Sequence, residues 1–156
     1  IEKIEKKIQE LIKADEELKQ TYELITTVPG IGMQNALCLL IFTNNFKRFN
    51  LNPRKIACYY GVAPFGKDSG TSVHADPHVH YMANKMLKSM LTQAALASVN
   101  FCPLIKDYYN RLINRGKKKQ VVLNNVKNKL IHIITAMVKN NQPFNPEYIN
   151  IHKTAA

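Results

Sequence analysis

Residues 118–140 place Val122, Val126, Leu130, Ile133, Ile134 and Met137 at helical intervals, with no proline inside the run. "GKKKQ" (116–120) spans its start, and Pro143 and Pro146 follow it. An apolar stripe of this length belongs to a helix of about six turns, and it needs other elements to cover it. The rest of the chain supplies further helical patterns. Residues 33–43 form a strongly apolar stretch after the break Val28-Pro29-Gly30-Ile31-Gly32. Asn52 and Pro53 read as the N-cap and first residue of a short helix, "PRKIACYY", closed by Gly61. Asp76-Pro77 reads as a second cap-plus-proline start, opening a helix with Met82, Met86, Leu87, Met90, Leu91, Ala94 and Ala95 on its core stripe. Pro103 to about Arg115 is another helix, stopped at "NRG". No segment shows convincing strand alternation, so the expected class is all-α, a helical bundle.

The first 25 residues carry Ile1, Ile4, Ile8, Leu11, Leu18, Tyr22 and Ile25 at gaps of three, four and seven, with Asp15 in the one polar seam position. This heptad pattern predicts a coiled-coil arm, or else one amphipathic helix lying on its own domain. The expected division is an arm over 1–25, a domain over 26–145 and a tail over 146–156. The chain opens at Ile1 inside helix-like sequence, with no charged-then-apolar leader, as expected for part of something longer.

Charge is unevenly spread. Residues 1–25 hold five Lys against seven acids, whereas 26–156 hold 17 Lys and Arg against Asp68, Asp76, Asp107 and Glu147, a net of +13. Such an excess favours a polyanion, and nucleic acid is the commonest. Four scattered carboxylates make a poor two-metal nuclease, which needs a cluster of them. Cys38, Cys58 and Cys102 are odd in number and widely spaced, which fits a reducing cytoplasm better than a disulfide framework. No apolar run is long enough to span a bilayer.

Two stretches are candidates for phosphate contact. The Gly30-Ile31-Gly32 turn resembles a helix-hairpin-helix element, whose glycines admit a close backbone approach and whose second helix turns its free amides to a phosphate. The competing reading is a tight interhelical turn with Ile31 plugged into the core. Lys117, Lys118 and Lys119 start the last helix, where cations oppose the helix dipole. With Arg111 and Arg115 they read as a phosphate-contacting ridge, or else as a solvated turn. Tyr108 and Tyr109 lie near enough in sequence to stack on a base, although helical tyrosines are more often core.

Between the apolar segments runs "GVAPFGKDSGTSVHADP", residues 61–77. A hydrolase elbow needs Gly-x-Ser-x-Gly on a strand-to-helix turn, and "KDSGTS" does not provide it. His74, His78 and His80 invite a metal, but Pro77 keeps His74 and His78 off one helical face, so no metal site is expected. There remains a serine nucleophile. Ser69 precedes Gly70, whose missing side chain lets a phosphodiester approach, and Lys67, Lys85 and Lys88 are available to offset charge on the phosphate oxygens. A plain serine in a flexible loop is the alternative.

The order "LITTVPGIG", "FKRF", "KIACYYGVAPFGKDSG", "ANKMLKSMLTQAAL", "YYNRLINRGKKKQVVLNNVKNKLIHIITAMVKNNQPF" resembles the C-terminal domain of one insertion-sequence transposase family. Its members carry an N-terminal RuvC-like DEDD nuclease domain, a coiled-coil linker and a C-terminal serine domain, and are directed by a bridge RNA. The resemblance covers roughly residues 22–145. It implies that Ser69 attacks a DNA strand and holds it as a phosphoserine. It also implies a homo-oligomer, dimer or tetramer, in a bacterial or archaeal cytoplasm, with Mg²⁺ in the nuclease domain and no cofactor in this segment. Where the family usually reads Lys-x-Gly-Asn-x-x-Leu-Arg, this chain has "HYMANKMLK". Ala83 stands for the glycine, Asn84 is kept, and Lys88 replaces the arginine, losing its bidentate fork. The other readings to weigh are a non-catalytic helix-hairpin-helix module holding DNA or RNA, and a coiled-coil oligomerisation domain.

Overall fold

The computed structural model describes residues 2–63, 65–69, 73–78 and 83–147, with 2–5 and the two segments between 65 and 78 described by backbone alone. Seven α-helices dominate the described residues: α1 Glu2–Ala14, α2 Glu16–Thr26, α3 Met33–Thr43, α4 Pro53–Tyr59, α5 Lys85–Phe101, α6 Pro103–Asn114 and α7 Lys119–Asn140. A short 3-10 helix, Lys47–Phe49, leads into α4. The all-α class holds. The polar run adds a small two-stranded hairpin, β1 Phe65–Ser69 and β2 Val73–His78, paired antiparallel.

The long α7 forms the spine. Its Val122, Val126, Leu130 and Ile134 are fully buried, and α2, α4, α5 and α6 all pack on it. Ile25 of α2, Leu39 and Leu40 of α3, Ile56 of α4, Leu87 and Leu91 of α5 and Ile105 of α6 close the core around it. Local chemistry sets the ends. Asn52 caps α4, its Oδ1 accepting from the N–H groups of Arg54 (3.0 Å) and Lys55 (3.2 Å), and Pro53 at the first position lacks the donor that would go unpaired there.

The first 25 residues depart from the expected continuous helix. Asp15 is a helix break rather than a seam residue. It adopts an extended conformation, and its carboxylate accepts from the N–H of Leu18 at 3.1 Å, starting α2 afresh. The break re-aims α1, so Ile12 is buried while Leu11, a seam position, is 64% exposed. Ile25 lies wholly inside the domain core, with Leu18 and Tyr22 packed against it. Among residues 146–156 the structure describes only the first two, both exposed.

A second correction concerns Asp76-Pro77, which belongs to β2 and starts no helix. The helix begins at Lys85, where Asn84 supplies the cap. Both strands of a two-stranded sheet are edges, so a proline's missing donor is tolerated there. On α5, Leu87, Leu91, Ala94 and Ala95 are buried as expected, whereas Met86 is largely exposed, and Met82 lies outside the described residues.

Candidate functional site

Ser69 is the last residue of β1, its Cα paired with that of Val73 across the hairpin. Lys67 pairs likewise with Ala75, and Asp68 with His74. Gly70 and His80 lie outside the described residues. The base of the hairpin is firmly tied. Gly61 turns the chain out of α4 with a φ of 64°, and Val62 behind it is buried, its carbonyl accepting from Asn124 Nδ2 of α7 at 2.7 Å. On the return side, the N–H of Asn84 donates to the Tyr59 carbonyl (3.3 Å). The Asn84 side chain meanwhile accepts from the N–H of Leu87 at 3.2 Å. The chain on either side of the hairpin is thereby fastened at Val62 to α7 and at Asn84 to α4. Asn84→Ala is expected to cost about 1 kcal/mol through the lost cap, and Asn84→Asp to retain most of it, as read by denaturant midpoints.

Beside this base lies a polar cluster that sequence reasoning missed. Lys127 of α7 is only 6% exposed, and its Nζ lies 3.3 Å from Thr92 Oγ1 of α5. The Thr92 hydroxyl donates to the carbonyl of Lys88 at 2.7 Å. Burial holds the Lys127 ammonium below the ordinary lysine value, and the nearby Lys88 charge adds to the effect. The signal was present in the sequence. Lys127 stands three and four residues before Leu130 and Ile131, on the buried stripe of α7.

The α6–α7 connection gathers the other cations. Arg111 is in the last turn of α6, Arg115 ends that helix, Gly116 takes a φ of 77°, Lys118 caps α7 without a side-chain bond, and Lys119 is its first residue. Arg111, Arg115, Lys117, Lys118 and Lys119 are all exposed. Among the described residues, the ion pairs fall on Glu16 and Glu17 of α2, so no carboxylate neutralises this turn. Tyr108 is half-buried against the core, with the Arg111 guanidinium 5.6 Å and the Lys129 ammonium 4.7 Å from its ring centroid. At 1.5 Å of rise per residue, Lys119 lies about 8 Å along the axis from Asn124 and about 12 Å from Lys127. The basic turn, the hairpin base, and Lys85 and Lys88 in the first turn of α5 therefore share one end of the bundle.

The Pro-Gly turn does not join them. Gly30 faces Ser98, about 20 Å along α5 from Lys85. There the Ser98 hydroxyl donates to the Pro29 carbonyl at 2.7 Å, Ile31 is buried, and Gly30 itself takes a φ of 95°. Gly30 thus serves a close helix-to-turn contact. Gly32 is exposed, in open space, as the N-cap of α3. The tight-turn reading describes Gly30 and Ile31, and any phosphate at Gly32 is a different phosphate from one at Lys85.

Among the described residues no three His, Cys, Asp or Glu side chains converge as metal ligands, and no helix is long and apolar enough to cross a membrane. Cys38, Cys58 and Cys102 are free thiols.

A helical domain with a serine-bearing hairpin and a cationic end now stands beside its relatives. The chain is 29% identical over 145 residues to the pilin gene-inverting proteins of Moraxella lacunata and Moraxella bovis, covering 92% of this chain and 45% of each of theirs. It is 32% identical over 116 residues to a 43.6 kDa protein of insertion element IS110 from Streptomyces coelicolor, covering 74% of this chain and 28% of that one. The chain therefore spans less than half the length of these relatives. The profile of the IS116/IS110/IS902 transposase family matches residues 22–110, from α2 through the hairpin to α6. More than half of the sequence thus carries that family's pattern, and the chain belongs to the IS116/IS110/IS902 transposase family.

Proposed function

We propose that this chain is the DNA-cleaving and strand-exchanging part of a transposase or recombinase, with Ser69 as the nucleophile. The observation that carries the reading is one of placement: the hairpin bearing Ser69 springs from the end of the bundle where Lys85, Lys88 and Lys117–Lys119 gather. Gene inversion, the activity named for the Moraxella relatives, requires strands to be cut and rejoined. In the proposed step the Ser69 oxygen bonds to phosphorus as a phosphorus–oxygen bond of the strand breaks. The departing sugar oxygen takes up a proton, and the serine loses one. The cations offset charge on the phosphate oxygens.

A RuvC-like nuclease domain, a guide RNA and assembly as a dimer or tetramer complete the reading. Each is carried by the resemblance. Soluble, cytoplasmic operation accompanies it. The test is direct. The protein is incubated with its target DNA and guide, denatured and digested, and the Ser69 peptide is searched by mass spectrometry for a phosphoserine-linked nucleotide. Strand exchange with no such adduct would remove Ser69 from the chemistry.

The cationic turn makes a separate prediction. Replacing Lys117, Lys118 and Lys119 with Ala is expected to lower the slope of log affinity against log salt by about 0.9 for each phosphate no longer neutralised. An unchanged slope would mark the turn as ordinary surface.

A further inference from the structure

We propose that the ammonium groups of Lys127 and Lys88, beside the hairpin base, form a seat for one phosphodiester group of a nucleic-acid strand. The ligand's identity as nucleic acid rests on the function proposed above, whereas its anionic chemistry follows from the residues themselves.

Lys127 is buried on the core stripe of α7, where an apolar residue is ordinarily favoured. Among the described residues its hydrogen-bond partner is a neutral hydroxyl, Thr92 Oγ1. That hydroxyl's own proton is already given to the Lys88 carbonyl, so its oxygen can only accept from the ammonium. A buried cation ordinarily has an anion beside it, because desolvating a charge without one is costly. Among the described residues, the charge felt by Lys127 is that of a second cation. Lys88, half-exposed one turn before Thr92, adds its field to that of Lys127. A buried ammonium joined through Thr92 to the backbone of a half-exposed lysine, with solvent on the Lys88 side, describes the protein half of an ion pair whose other half is an anion. The position agrees, since Lys119 is about 12 Å away along α7.

The contrary reading is that the Lys127 stem merely fills space, in which case methionine serves equally well. Two measurements decide between them. Thermal unfolding is followed in inorganic phosphate and in chloride at matched ionic strength. Phosphate is expected to raise the midpoint of the wild-type chain more than that of Lys127→Met, because an anion that binds only the folded seat stabilises it. Duplex DNA affinity is expected to fall about tenfold in Lys127→Met near 0.1 M salt, with the salt slope reduced by about one.

Equal phosphate shifts in the two proteins would overturn the seat whatever DNA does. A phosphate shift that depends on Lys127 in a protein that binds no DNA would keep the seat and sink the recombinase reading. If Lys127→Met does not fold, Lys88→Met addresses the same seat from its half-exposed side, with the same outcomes deciding.

Discussion

Ser69→Ala is expected to abolish strand exchange, by at least about 10⁴-fold, while the protein continues to fold and to bind DNA. The size of the loss follows from the chemistry. A serine that forms the covalent intermediate has no substitute in a methyl group, and cations that stabilise a phosphate cannot act until a nucleophile attacks it. Binding should change by about twofold or less, because a neutral hydroxyl displaces no counterions from DNA. The fold should also survive. The chain is anchored on either side of the hairpin at Val62 and Asn84, and among the described residues the core is made by α2 to α7 and the turns between them. Strand exchange by the purified alanine variant at more than about one part in a hundred of wild type would place the nucleophile elsewhere. Loss of binding together with exchange would instead show Ser69 to be part of the docking surface.

What the sequence made legible here follows from which signals are local. The spine α7, the apolar α3 and the Asn52-Pro53 start of α4 are written in periodicity and caps, both of which need only neighbouring residues. Asp15 shows the limit. Spacing placed it in a heptad seam, but a carboxylate three residues before a free N–H is equally an N-cap, and the cap is what the structure shows, with Ile25 in the domain core. The hairpin was hard to read because Phe65–Ser69 has no apolar alternation, and the alternation of Val73, Ala75 and Pro77 with His74, Asp76 and His78 is short and includes a proline, which argues against a strand. Asp76-Pro77 misled for the same reason, since cap-plus-proline describes a helix start and a tolerant edge strand alike. As for the site, its exposed cations could be named from the sequence, but their gathering at one end, and the separation of Gly32 from them, depend on how α5 and α7 pack. Lys127 is surface charge by residue type alone, and its place on the apolar stripe of α7 is the informative fact.

Gly30→Ala is expected to destabilise the fold by about 2–4 kcal/mol, the largest stability effect among these substitutions. Two costs add. The backbone at Gly30 has a φ of 95°, which an L side chain rarely adopts. A Cβ there would also collide with the backbone N and Cα and the Oγ of Ser98. Two of those three atoms are main chain, so α5 itself would have to move, and Ala94 and Ala95 on its buried face with it. Removing the hydroxyl therefore rescues little: Gly30→Ala with Ser98→Ala should remain nearly as unstable, since the Ser98 bond to the Pro29 carbonyl disappears as well. Gly32→Ala is the internal control. Gly32 has open space around it and a φ of −86°, so its substitution should shift stability by no more than about 0.5 kcal/mol. Urea unfolding of the four proteins distinguishes the cases. Equal midpoints for the two single glycine variants would mean that the turn does not press on α5, and that the first glycine of this motif is kept for something other than packing.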